Sequence, residues 1–196
     1  MQSPHKRTTK SNFMKEQRKK EATFLHSVLK LAFQHTKWQK ETNITVYLQV
    51  FTGGPNTTSV AVAGAPGKPR TPSNFGTIIV NDFNITQGIS NNSPTIGRAQ
   101  GIEIASSRDG SRSLGIFSLI FSNFKYNGST LEFQGAGYNL QVGSPAREDP
   151  IVGGTKTFRF ARGYAFFQTV LRRPARNNTV IRGDITVISC PGGGKF

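Results

Sequence analysis

Cysteine is almost missing from this chain: Cys190 stands alone, so no disulfide within the molecule can staple the fold. Histidine is scarce as well. The three residues His5, His26 and His35 all lie near the start, so residues 43 onward cannot supply a Ser-His pair or a histidine-ligated metal, which removes most hydrolase and zinc-site chemistry. No stretch approaches the roughly 18 apolar residues that a membrane-spanning helix requires. Residues 22–33 (ATFLHSVLKLAF) are the one candidate for the apolar part of a secretion signal, and His26 and Lys30 interrupt them. Acidic residues are few, 10 against 25 Lys and Arg, for a formal charge of +15. Residues 1–41 hold ten of the basic and three of the acidic side chains, leaving +7 there and +8 over the rest. That distribution describes a basic, solvated arm ahead of a moderately basic domain; binding of nucleic acid or another acidic polymer through the arm is the alternative.

What the chain does have favours strands. Glycine reaches 21 residues and Phe 15, against 4 Tyr and 1 Trp, a composition suited to short strands joined by tight turns. Residues 1–20 are charged and aperiodic and are expected to be disordered, whereas Phe24, Leu25, Val28, Leu29, Leu31 and Ala32 follow helical spacing and predict a short helix over 21–38. At Asn43 the period changes to two: Ile44, Val46, Leu48 and Val50 share one face of a strand. Further strands are predicted at 59–63, 76–82, 99–105, 114–121, 130–133, 157–169 and 180–189, with a Gly-Pro-rich connector at 64–73. The expected fold is therefore all-β: an eight-stranded antiparallel β-barrel over 43–196, preceded by a basic extension over 1–42 that is disordered or short-helical. Closure into a barrel leaves no exposed sheet edge, and eight strands enclose about one small ligand.

Six N-x-[ST] acceptors, at Asn43, Asn56, Asn84, Asn91, Asn127 and Asn177, exceed the one or two that chance would give by a rough count and favour a secreted glycoprotein. The run Gly153-Gly154-Thr155-Lys156-Thr157 lacks the spacing of a phosphate loop, and the glycine-rich end after Cys190 reads as flexible.

Ordered blocks make the chain recognisable. Gly53-Gly54-Pro55-Asn56, Phe75-Gly76-Thr77 through Asn81-Asp82, Ile96-Gly97-Arg98-Ala99-Gln100-Gly101, Lys125-Tyr126-Asn127-Gly128-Ser129-Thr130-Leu131, and Val152-Gly153-Gly154-Thr155 followed by Phe158-Arg159-Phe160-Ala161-Arg162-Gly163-Tyr164-Ala165 occur in the order and spacing that resemble the plant dirigent family. The resemblance implies an antiparallel barrel, secretion to the apoplast, a homo-oligomer (dimer or trimer), and no metal or other cofactor. It also implies a role in lignan or phenylpropanoid metabolism: the protein orients phenoxy radicals from monolignols such as coniferyl alcohol, while a separate oxidase of laccase or peroxidase type makes the radicals. Relatives that cyclise or dehydrate quinone-methide-like phenolics supply the enzymatic alternative.

The resemblance also marks departures in the pocket. Where lignan-forming relatives end the first strand with an acid, this chain has Val50; where tyrosines enter the pocket it has Glu103 and Ala105; where a second acid follows a Gly-Ala pair it has Gly137. Arg147 matches the family's pocket arginine. Parity places Glu103 with Ala99, Gly101 and Ala105 on a face of small residues compatible with a lumen, which makes Glu103 the candidate proton donor and Arg147 the candidate anchor for a phenolate or quinone oxygen. Val50, Ala105 and Gly137 are the expected pocket lining. Asp82, Arg98, Arg159 and Arg162 are secondary candidates, for which turn capping and ion pairing are the simpler explanations.

Overall fold

The computed structural model of the chain describes residues 5–37, 39–138 and 144–190. It divides into two compact units, Met1–Gln39 and Lys40–Phe196. The first contains one helix, α1 (His5–Lys37). The helix starts well before residue 21, where sequence periodicity placed it, because lack of amphipathicity argues against burial and not against helix. Lys, Arg, Glu, Gln and Met are good helix formers, no Gly or Pro interrupts 5–37, and Lys20 pairs with Glu16 one turn away at 3.1 Å. Its apolar residues Phe24 and Leu25 are exposed. Among the described residues no helix is long and apolar enough to cross a membrane.

Among the described residues the second unit has nine strands: β1 (Lys40–Phe51), β2 (Ser59–Ala63), β3 (Ile78–Thr86), β4 (Thr95–Ala105), β5 (Arg112–Phe121), β6 (Thr130–Tyr138), β7 (Arg147–Gly154), β8 (Arg162–Arg173) and β9 (Asn178–Ser189). Every pairing is antiparallel. The order β1-β9-β8-β7-β6-β5-β4-β3 returns to β1 through Tyr47↔Thr86, Leu48↔Ile85 and Gln49↔Asn84, closing an eight-stranded barrel. β2 pairs with β3 farther along, Ser59 opposite Asn81, and so extends the wall where β1 leaves it.

The eight barrel strands are not the eight segments read from periodicity. β2 adds to the wall and does not close the ring, β7 went unpredicted, and the segment 157–169 splits into a 3₁₀ turn at Lys156–Phe158 and the start of β8. The flexible end expected after Cys190 lies outside the described residues.

Alternation decides what fills the barrel. Val46, Ile85, Leu119, Leu131, Ile185 and Val187 all point inward and are essentially inaccessible. At one end Phe121, Tyr126 and Phe158 pack as an aromatic plug with ring centroids 5.0 to 5.6 Å apart. Midway, Phe117 stacks on Phe133 at 4.9 Å, and Phe167 meets both edge-on at 5.7 Å. Burying each such ring contributes about 1.5–3 kcal/mol. Beyond this layer the barrel is hollow.

Candidate functional site

The hollow end is a cavity of about 300 Å³. Leu48, Val50, Ile79, Phe83, Phe117 and Phe167 supply its apolar wall, and Glu103 and Arg147 are the only charged groups among its lining residues. Glu103 faces inward because Ala99, Gly101 and Glu103 share one side of β4, as parity predicted. Its strand neighbour Gly115 adds no side chain to crowd it, and Ser113 Oγ donates to Glu103 Oε1 at 2.6 Å.

Arg147 enters from β7. Its Nε donates to Asp149 Oδ2 at 3.0 Å, and its guanidinium carbon stands 5.9 Å from the centre of the Phe167 ring, within cation–π range. Both side chains occupy space left by glycines of β6: a Cβ on Gly137 would lie 2.7 Å from Arg147 Cδ, and one on Gly135 would lie 2.7 Å from Asp149 Oδ1. Arg147 and Glu103 therefore share a cavity, but among the described residues no ion pair joins them; each has its own partner.

Asp149 escaped the sequence reading. Its side chain is 3% exposed, and burial pushes its carboxyl above the ordinary carboxylate range, against the opposing pull of Arg147 and with a further push from Glu103. The signal that could have found it is the alternation Arg147, Asp149, Ile151, which aligns two charges with a core residue; with Pro150 between them, the run does not read as a strand.

The other candidates fall elsewhere. Val50 lines the cavity. Ala105 is buried but lies beyond the lining set, because β4 continues past the cavity toward Ser113, and Gly137 lines an adjoining cleft with Arg147. Asp82 and Arg98 face outward, where Arg98 Nη2 meets Asp82 Oδ2 at 2.6 Å and holds that carboxyl below its ordinary range, with Gln100 assisting. Arg159 is exposed after the 3₁₀ turn, and its carbonyl accepts the Cys190 N–H at 3.1 Å. Arg162, also exposed, donates to the Val152 carbonyl at 2.5 Å and so ties β8 to β7. These four serve the barrel's outside, since odd-to-even parity puts them opposite the lumen or in its turns.

Comparison with known proteins places this architecture. Residues 41–188 match the model of the family described as dirigent-like protein. The chain is 37% identical over 135 residues to pterocarpan synthase 1 of Glycyrrhiza echinata, covering 69% of each chain, and 30% identical over 167 residues to dirigent protein 21 of Arabidopsis thaliana, covering 85% of this chain and 87% of that one. A solved pterocarpan synthase dirigent protein superimposes with a TM-score of 0.71 at 32% identity, over 81% of this chain and 90% of its own. A closed antiparallel barrel, a half-hollow lumen and a family match from the first strand to the last lead to one assignment: the chain belongs to the dirigent family.

Proposed function

We propose that the barrel holds one phenolic molecule at a time and directs its stereochemical course by proton transfer, as a cyclase or dehydratase acting through a quinone-methide-like species. The observation that carries this reading is the presence of Glu103 and Arg147 together in one apolar cavity. Its volume lies at the small end of the roughly 300–1,000 Å³ usual for ligand sites, which suits a single phenolic better than two. In the proposed step a benzylic hydroxyl takes a proton and leaves as water while the phenolic proton is given up; a second hydroxyl of the same molecule then adds to the benzylic carbon and closes the ring, losing its own proton as the phenolic oxygen regains one. Arg147 stabilises the developing negative charge on the phenolic oxygen, and Glu103 exchanges the proton. Similarity to pterocarpan synthases supports the enzymatic class.

A second reading, orientation of monolignol phenoxy radicals generated by a separate oxidase, draws support from the Phe117–Phe167 wall, which positions rings without any proton chemistry. Incubation with a closed-shell phenolic benzylic alcohol, with and without a one-electron oxidant, followed by chiral product analysis, separates the two. Stereoselective turnover without oxidant sustains the enzyme; selectivity only with oxidant replaces it by the guide. Secretion, homo-oligomerisation and glycosylation belong to the same proposal, and all six acceptor asparagines are exposed, as glycan attachment requires.

A further inference from the structure

Arg147 is bonded to one carboxyl group and shares the cavity with another, and only the second of these faces the cavity. Glu103 lines the lumen; Asp149 stands behind Arg147, nearly sealed from solvent and bonded to its Nε at 3.0 Å. Among the described residues no other charged group bears on Asp149. Its neighbour on β6 is Gly135, and its register partner on β8 is Ala165. The charges that act on Asp149 are thus Arg147 on its own strand and Glu103 on β4. A carboxylate removed from water persists only while a counter-ion compensates it. An incoming anion that engages the guanidinium divides that compensation, and a second negative charge close by makes the ionised form costlier still.

We propose that Asp149 is a proton-coupled counter-ion of Arg147: an aromatic ligand bearing an anionic oxygen, phenolate or carboxylate, docks on Arg147 from the cavity while Asp149 takes one proton from solvent. Charge balances, since the ligand brings one negative charge and the proton cancels the one it displaces. Asp149 acts as a positioning residue, setting how much of Arg147's charge is available without touching the ligand. The inference rests on the cavity being an aromatic-ligand site.

Linkage fixes the consequence: ligand affinity must fall as pH rises, approaching tenfold per pH unit where uptake is complete. The test is titration calorimetry on the full chain with 4-methoxybenzoate, ionised throughout the neutral range, and its uncharged counterpart 4-methoxybenzamide, between about pH 6 and 8 in phosphate and in Tris. Wild type should bind the benzoate with that pH dependence and with heats that differ between buffers by the uptake of up to one proton; the benzamide should show neither. Asp149→Asn should abolish both effects while keeping benzoate binding. Glu103→Gln should retain the pH dependence, and this variant decides the matter if Asp149→Asn does not fold. PH-independent binding by wild type, or proton uptake that persists in Asp149→Asn or vanishes in Glu103→Gln, overturns the inference and leaves the cavity reading standing. If neither probe binds, both fall.

Discussion

Two substitutions separate the contributions of Arg147 and Glu103. Replacing Arg147 with Leu keeps much of the apolar stem and removes the donors, so binding and selectivity toward a phenolic substrate should weaken by about 1–3 kcal/mol, measurable as a change in product ratio. Glu103→Gln preserves shape and the bond from Ser113 but cannot exchange a proton; a cyclase should lose roughly a hundredfold in rate, and a radical guide should lose nothing. Asp149 adds a pH signature of its own. Desolvation raises its folded carboxyl above the unfolded value near ~3.9, so the native state binds more protons there, and its contribution to stability, complete at lower pH, is lost as pH rises through the raised value. Denaturant midpoints measured from acid to neutral pH should therefore fall less steeply in Asp149→Asn than in wild type.

Among the elements, β6 and β7 govern the site. Their ladder covers Leu131 to Phe133 against Gly154 to Ile151, and Pro150 sits just past it, where its missing N–H interrupts no bond to β6. Farther along, Gly135 and Gly137 give room to Asp149 and Arg147. Gly137→Ala should push the flexible arginine aside, lowering Arg147-dependent affinity with little loss of thermal stability; an unfolded variant would mean the arginine cannot move. The same region explains how far the sequence could be read. Apolar alternation marked β1 and β9 well because their inward residues are mostly aliphatic, whether they meet the core or the cavity. On β7 two of the inward residues are charged, Arg147 at the cavity and Asp149 behind it, so the periodicity that reveals a strand is inverted where the strand becomes functional. Glu103 was legible because Ala99 and Gly101 kept β4's parity visible; Asp149 was not, since Glu148 and Pro150 hid the strand that carries it.

For the molecule as a whole, the barrel unit contains its own closed hydrogen-bonded ring and its own core, and β1 pairs with β9 over its entire length from Lys40. Removing residues 1–38 should leave a protein that unfolds in one cooperative transition with a β-type circular dichroism spectrum; failure to fold would show that the helix contributes to the barrel's stability. If salt-sensitive binding to nucleic acid is found, it should disappear with the same deletion, because the helix carries the denser positive charge. The barrel itself is packed at the Phe121–Tyr126–Phe158 end and hollow at the other. Empty volume is what compression removes, so hydrostatic pressure should act on the molecule unevenly: amide resonances around Val50, Ile79 and Glu103 should shift at pressures that leave the aromatic end unchanged, and a ligand filling the lumen should make the two ends respond alike.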